Sequence, residues 1–275
     1  MKKSSSLWAR LCAAPYIAWM IIFIVAPLIM VAYYAFTDSS GNFTFSNIIA
    51  LDSYAGIFIR SIWYGLATTA ISLVVAFPFA YAIAQGGTKY QSTMIMLLMV
   101  PMWMNFLIRT YSWMNILSDN GIINTFLDKI GLEPIEMINT PGAVILGMVY
   151  NFMPYMVLPI YSIISKMDRN VIEAAQDLGC NKFKVMTRVI LPMSVPGIVS
   201  GITMVFVPSV STFYISQKLG GGKYDLIGDT IERQFQTSYN YSLGASISLV
   251  LMVLLLVCMA FMNTFTDDEE GDIVV

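Results

Sequence analysis

Six stretches of this chain, roughly 12–37, 61–85, 93–117, 143–165, 192–215 and 243–265, are apolar over the length that a bilayer demands. A hydrocarbon core about 30 Å thick is crossed by about 20 helical residues. Only 12% of the 275 residues are charged, 57% are hydrophobic, and the mean hydropathy is +0.70. Soluble domains carry about 25% charged residues, so water is not the main solvent here. The expected fold is all-α, one membrane domain over 1–275 built from six transmembrane helices. Pro27, Pro78, Pro101, Pro154, Pro159 and Pro208 lie inside these spans, where neighbouring helices can satisfy the backbone carbonyls that proline frees. Lys2, Lys3 and Arg10 precede the first run as they would in a signal peptide. That run is too long for one, and no A-x-A-like site follows before Asp38. It reads as a retained span.

Basic residues set the expected orientation. With the N-terminus in the cytoplasm, Lys2, Lys3, Arg10, Lys89, Lys166, Arg169, Lys182, Lys184 and Arg188 are inside, and Arg60, Arg109, Lys129, Lys218, Lys223 and Arg233 fall outside or near outer span ends. This nine-to-six bias, strongest in the tight loops, follows the positive-inside tendency. Both termini are then cytoplasmic, and Asp267-Asp268-Glu269-Glu270 reads as an irregular acidic end. The connections near 38–60, 118–142 and 216–242 are external.

Composition also excludes functions. A net charge of −2 without a basic tract does not suit nucleic acid. The absence of histidine removes the commonest general base and metal ligand. Cys12, Cys180 and Cys258 are too widely spaced for a disulfide framework or a zinc site. Gly220-Gly221-Gly222-Lys223 lacks phosphate-loop spacing, and Tyr224 stands where Ser or Thr is needed. It reads as a turn, and the chain as no ATPase. No acidic residue lies within a span, which counts against an ion-coupled secondary transporter. No intramembrane acidic pair or H-E-x-x-H supports an enzyme.

The loop over 166–191 is polar, helix-prone and interrupted by glycine, between two long apolar segments. Val171, Ala174, Ala175 and Leu178 recur at i, i+3, i+4 and i+7, one helical stripe. Asp168 or Asn170 can cap its start, and Gly179 suits the left-handed position that ends a helix. A second short helix is expected from Asn181 towards Ile190, exposing Lys182, Phe183, Lys184 and Arg188. Such a loop either lies on lipid as an amphipathic connector or receives a partner.

Its spacing, E-A-A-x-x-x-G-x9-I-x-L-P, resembles the signature of integral membrane subunits of binding-protein-dependent ABC importers. The matching residues are Glu173, Ala174, Ala175, Gly179, Val189 in place of isoleucine, Leu191 and Pro192. The resemblance implies coupling helices that dock on a separate ATP-binding subunit through Glu173, Ala174, Ala175, Asp177, Gly179, Phe183, Leu191 and Pro192. It further implies a second permease subunit, two ATPase copies, an extracytoplasmic binding protein, and ATP and Mg used only by the partner. Pro15-Tyr16, Trp19, Pro27 and Phe36-Thr37-Asp38, with Arg109-Thr110-Tyr111-Ser112-Trp113, Gly121 and Asn124, are similar to spermidine/putrescine permeases of that family. Permeases for iron, thiamine and sulfate share parts of these stretches.

An extended polycation needs carboxylates and aromatic faces along its path. The candidates are Trp103, Tyr111, Trp113, Tyr150 and Tyr155 with Asp225, Asp229 and Glu232, joined by Asp119. Arg109 is the one charge well inside a span, and in a straight helix from Thr93 it lies roughly 24 Å along the core. A structural or gating ion pair is expected for it. Gly197, Ser200 and Gly201 form a small-residue face for close helix approach, either within this bundle or to another subunit.

Overall fold

The computed structural model describes residues 7–38 and 41–271, so Lys2 and Lys3 lie outside the described residues, as do the side chains of Arg10, Cys12 and Arg169. In chain order the helices are α1 (Leu7–Met20), a π turn (Ile21–Val25), α2 (Ala26–Ala35), α3 (Ser46–Ile49), a 3₁₀ turn (Ala50–Tyr54), α4 (Ala55–Ala84), α5 (Thr88–Trp103), α6 (Phe106–Leu117), α7 (Ile122–Lys129) and α8 (Pro141–Ile164). There follow α9 (Arg169–Asp177), α10 (Lys182–Val185), a second π turn (Met186–Ile190), α11 (Leu191–Met193), α12 (Val195–Ser211), α13 (Tyr214–Leu219), α14 (Ile227–Gln236) and α15 (Tyr241–Gly271). The all-α class expected from the sequence is the class observed.

Four stretches, Ala14–Ala35, Ser46–Ala84, Pro141–Ile164 and Tyr241–Met262, are continuous helix long and apolar enough to cross a membrane. The other two expected spans are bent. Between α5 and α6 the axis turns by 90°, and between α11 and α12 by 66°. At the first break Met104 and Asn105 are extended, and the Asn105 side chain accepts a hydrogen bond from the Leu107 amide at 2.8 Å, opening α6 as a new helix. The stretch 93–117 is therefore not one straight span. At the second, Pro192 and Pro196 each lack an amide donor, and the Ile190 carbonyl accepts from both the Ser194 amide at 3.0 Å and the Ser194 hydroxyl at 2.6 Å. The fifth span ends at Ser211, short of 215, and α13 restarts two residues beyond it. The acidic residues 267–270 continue α15 instead of forming an irregular end.

The chain packs as two units, Gly56–Asp229 with the chain from Leu255, and the chain up to Ala55 with Thr230–Leu254. In the first, α8 lies at the centre: Val144, Met148, Met156, Val157 and Ile160 are fully buried among Ala76 and Ala80 of α4, Val205 of α12 and Ile215 and Leu219 of α13. Lipid is as apolar as these side chains, so packing, not expulsion from water, holds the helices together. The small face of α12 serves this packing. A Cβ on Gly201 would meet Met156 Sδ at 2.7 Å, and one on Gly197 the Pro159 carbonyl oxygen at 2.8 Å. Both approaches are to α8 of the same chain. In the second unit, the buried Ser246 hydroxyl donates to the carbonyls of Ala35, at 3.1 Å, and Ser242, at 2.9 Å, tying α15 to the end of α2.

The connection near 118–142, expected to be external, is ordered by one amide. Asn124, buried at 2% exposure, donates to the carbonyls of Ser118 and Ile135 and accepts from the Ile135 amide at 2.9 Å. Gly121 fits there because a Cβ would strike the Asn115 and Ile116 carbonyls at 2.5 Å.

Gly201→Val is expected to destabilise the protein by about 1–3 kcal/mol, the usual cost of overpacking. A lowered melting temperature in detergent checks this, with Gly56→Ala, whose added methyl meets open space, as the control that stays unchanged.

Candidate functional site

The segment from Asp168 to Ser194 is built by local rules. Asp168 caps α9, its carboxylate accepting from the Asn170 amide at 3.0 Å. The helix closes in a paired turn: the Gly179 amide donates to the Gln176 carbonyl at 2.9 Å and the Cys180 amide to Ala175 at 3.1 Å, with Gly179 at φ +82°. This is the glycine-dependent helix ending that satisfies terminal carbonyls. Asn181 then caps α10 through the Lys184 amide at 2.8 Å, and the π turn leads into the bent α11–α12 junction. The expected second helix from Asn181 to Ile190 is present, its last turn widened to the i→i+5 pattern of a π turn.

Packing divides the predicted stripe. Ala175 turns inward with Met167, Ile172, Cys180 and Val189 against the core, while Val171, Ala174 and Leu178 lie outward with the acidic Glu173 and Asp177. Ile172, outside the stripe read from the sequence, is the main inward anchor, because the core approaches α9 from the side of α8's end. Leu178 is 86% exposed and Phe183 68%. Leu191 and Pro192 are exposed too, whereas Val185 and Ile190 are buried. The result is a knob of exposed apolar side chains, with Lys182, Lys184, Arg188, Glu173 and Asp177 exposed on the same segment.

Under α9 a cleft of about 240 Å³ is lined by Gln91, Ile164, Met167, Ile172, Glu173 and Gln176. Gln91 holds its floor, donating to the carbonyls of Ala84 at 3.0 Å and Gly86 at 2.9 Å and accepting from the Tyr161 hydroxyl at 2.9 Å. One amide thus joins the end of α4, the start of α5 and α8. Gln91 was not among the residues singled out from sequence, because it carries no charge and belongs to no motif.

The candidate path residues do not converge. Trp113 and Tyr150 meet edge to face at 5.3 Å, and Tyr111 meets Tyr214 at 6.2 Å. Trp103, 75% exposed, and Tyr155, 38% exposed, stand apart on the surface, as does Asp119. Asp229 is 2% exposed and accepts from the Leu226 amide at 2.7 Å, which orders the entry to α14. Asp225 and Glu232 are half-buried and engaged within the fold. Arg109 is buried, but the break at Asn105 removes it from the straight-helix position expected. Its guanidinium lies 5.9 Å from the Phe106 ring, and no carboxylate among the described residues pairs with it. Within this chain's described residues Arg109 meets a ring and not a carboxylate. Tyr214, which the sequence places at the end of the fifth span, and Lys218, which it places in an outer loop, stand one helical turn apart in α13.

A model of the binding-protein-dependent transport system inner membrane component family matches residues 7–267. The chain is 35% identical over 265 residues to the spermidine/putrescine transport system permease protein PotB of Haemophilus influenzae, covering 93% of each. It is 34% identical over 249 residues to PotB of Escherichia coli K12, covering 87% of this chain and 90% of that one. A bacterial ABC transporter involved in import of the acidic polysaccharide alginate has a chain of similar fold, with a TM-score of 0.76 at 22% identity over 95% of both chains.

Gln91→Leu is expected to remove three hydrogen bonds and leave the Ala84 and Gly86 carbonyls unpaired, at about 1–3 kcal/mol. Lower thermal stability, with faster amide exchange over 84–92, is the measurement.

Proposed function

The chain belongs to the family of binding-protein-dependent transport system inner membrane components, and from that premise we propose that it carries polyamines, spermidine or putrescine, through the membrane. As a family member it is a multi-pass permease subunit of an ABC importer, and ATP hydrolysis belongs to a separate subunit. The observation that carries the cargo reading is the 35% identity to PotB over 93% of both chains, which extends far beyond the loop motif. The alginate importer supports only the fold, so an acidic cargo is not inferred from it. An iron, thiamine or sulfate cargo remains the competing outcome of the uptake test.

The knob formed by α9 and α10 is the coupling element in this reading. Leu178 and Phe183 seat in the ATP-binding subunit, and Glu173, Ala174, Ala175, Asp177, Gly179, Leu191 and Pro192 shape and orient the contact. Exposed apolar side chains accompanied by charged ones have the anatomy of an interface centre and rim. Motion is passed on because α9 is anchored by Ile172 and Ala175 to the core, and because α10 runs through the π turn into α12 without a flexible linker. Closure of two ATPase copies, with ATP and Mg bound there, then moves α12 and its closely packed partner α8 together. A second permease subunit completes the path, and an extracytoplasmic polyamine-binding protein delivers cargo. The knob and both termini face the cytoplasm in this arrangement.

Two measurements test the reading. Phe183→Asp and Glu173→Lys, both at exposed positions, are expected to leave membrane insertion and melting unchanged while lowering ATPase-subunit capture at least about tenfold, the loss typical of a hot-spot residue. Retained capture and wild-type uptake in both variants would remove the coupling assignment. In the reconstituted complex, radiolabelled spermidine or putrescine should accumulate with ATP and be outcompeted by unlabelled polyamine but not by thiamine or sulfate. Absence of polyamine accumulation would leave the permease assignment standing and withdraw the cargo.

A further inference from the structure

Where α13 packs on α6, three rings and two cations come together. Phe106 lies 6.0 Å from Tyr214, and Tyr214 meets Tyr111 edge to face at 6.2 Å. The ammonium of Lys218 sits 5.6 Å from the Tyr111 centroid and 5.7 Å from that of Tyr214, and Arg109 lies against Phe106 on the same cluster. Both ring distances are within cation–π range. Among the described residues the Lys218 ammonium is held by the two tyrosines, at their rings and at the Tyr111 hydroxyl, which is itself hydrogen-bonded to Tyr214.

The surroundings suit exchange. The cluster forms beside one interrupted span, at Met104–Asn105 before α6, and just past the end of the fifth, at Thr212–Phe213 before α13. Helix interruptions of this kind are where transporters place polar cargo. Tyr111 is 41% exposed, so the cage is open on one side. A site without a carboxylate holds a cation without trapping it, as a conduction path requires.

We propose that the Tyr111–Tyr214 pair is a subsite for a primary alkylammonium, and that Lys218 occupies it as a tethered stand-in until an incoming ammonium displaces it. The chemistry matches closely. A lysine side chain presents four methylenes ending in an ammonium, which is one end of a 1,4-diamine. Displacement brings one positive charge to the rings as another leaves, so the arrival adds no net charge beside Arg109. The ring pair recognises the ammonium terminus, and the lysine keeps the faces covered when no cargo is present. The assignment of this ammonium to cargo rests on the polyamine reading above, but the subsite itself does not.

The test uses the complex assembled with its partner subunits in liposomes and reads nitration of Tyr111 and Tyr214 by mass spectrometry. In Lys218→Met, with Lys218→Gln as a second replacement, both rings should nitrate faster than in wild type. n-Butylammonium chloride should then slow them by about 2- to 30-fold relative to potassium chloride, the range spanned by cation–π contacts. Lys218→Arg should behave as wild type, with covered rings and little further protection. Equal nitration in the two salts, in both uncharged variants, would overturn the subsite. Uptake of radiolabelled putrescine by the wild type decides the cargo separately: protection without uptake keeps the subsite and withdraws polyamine, and uptake without protection does the reverse.

Discussion

Every backbone amide and carbonyl inside a bilayer needs a partner within the protein, and the rest of this structure follows from how that demand is met at the helix breaks. An unbroken helix meets it internally. The breaks at Met104–Asn105, Ser194 and Thr212–Phe213 do not, and each needs a device. Asn105 supplies a side-chain acceptor to the Leu107 amide, and the Ser194 hydroxyl returns to the Ile190 carbonyl. At the third, the Ser216 hydroxyl donates to the Phe213 carbonyl at 2.8 Å. Each break thus carries a side-chain hydrogen bond of its own, and at Ile190 and Phe213 the carbonyl also keeps a backbone amide partner.

The segment from Asp168 to Ser194, the coupling element proposed above, uses the same economy outside the apolar core. Its helix ends are closed by Asp168, Gly179 and Asn181, so its shape depends on no partner subunit. What it presents outward is therefore fixed before docking, and little ordering entropy opposes association. Its inward residues, Ile172 and Ala175, pack against the core, and α9 itself rests on α10 and the π turn that leads into α12, whose approach to α8 is set by Gly197 and Gly201.

Much of this was legible in the residues. The caps at Asp168 and Asn181, the stop at Gly179 and the all-helical class follow from local chemistry, and local chemistry reads directly from spacing. The stripe through Val171, Ala174, Ala175 and Leu178 was legible only as a period. Which side of α9 faced inward depended on where α8 ended, and Ile172 took the inward position. Arg109 shows the same limit: its depth was reckoned along a straight helix, and a two-residue break voided the sum. The small face of α12 was readable as a contact surface, but its partner, Met156 and Pro159 of α8, was not.

By itself the sequence determined the solvent of the chain, the number of apolar stretches, the caps and stops of the coupling segment, and the family motif. These are properties of a residue and its near neighbours along the chain. Only the tertiary structure decided that two of the spans are bent, that the small-residue face packs inside one chain, that Gln91 fastens α4, α5 and α8, and that Lys218 rests on Tyr111 and Tyr214. The physical reason is common to all four. Each depends on which atoms come within a few ångströms across many residues of intervening chain, and no local period or propensity encodes that distance.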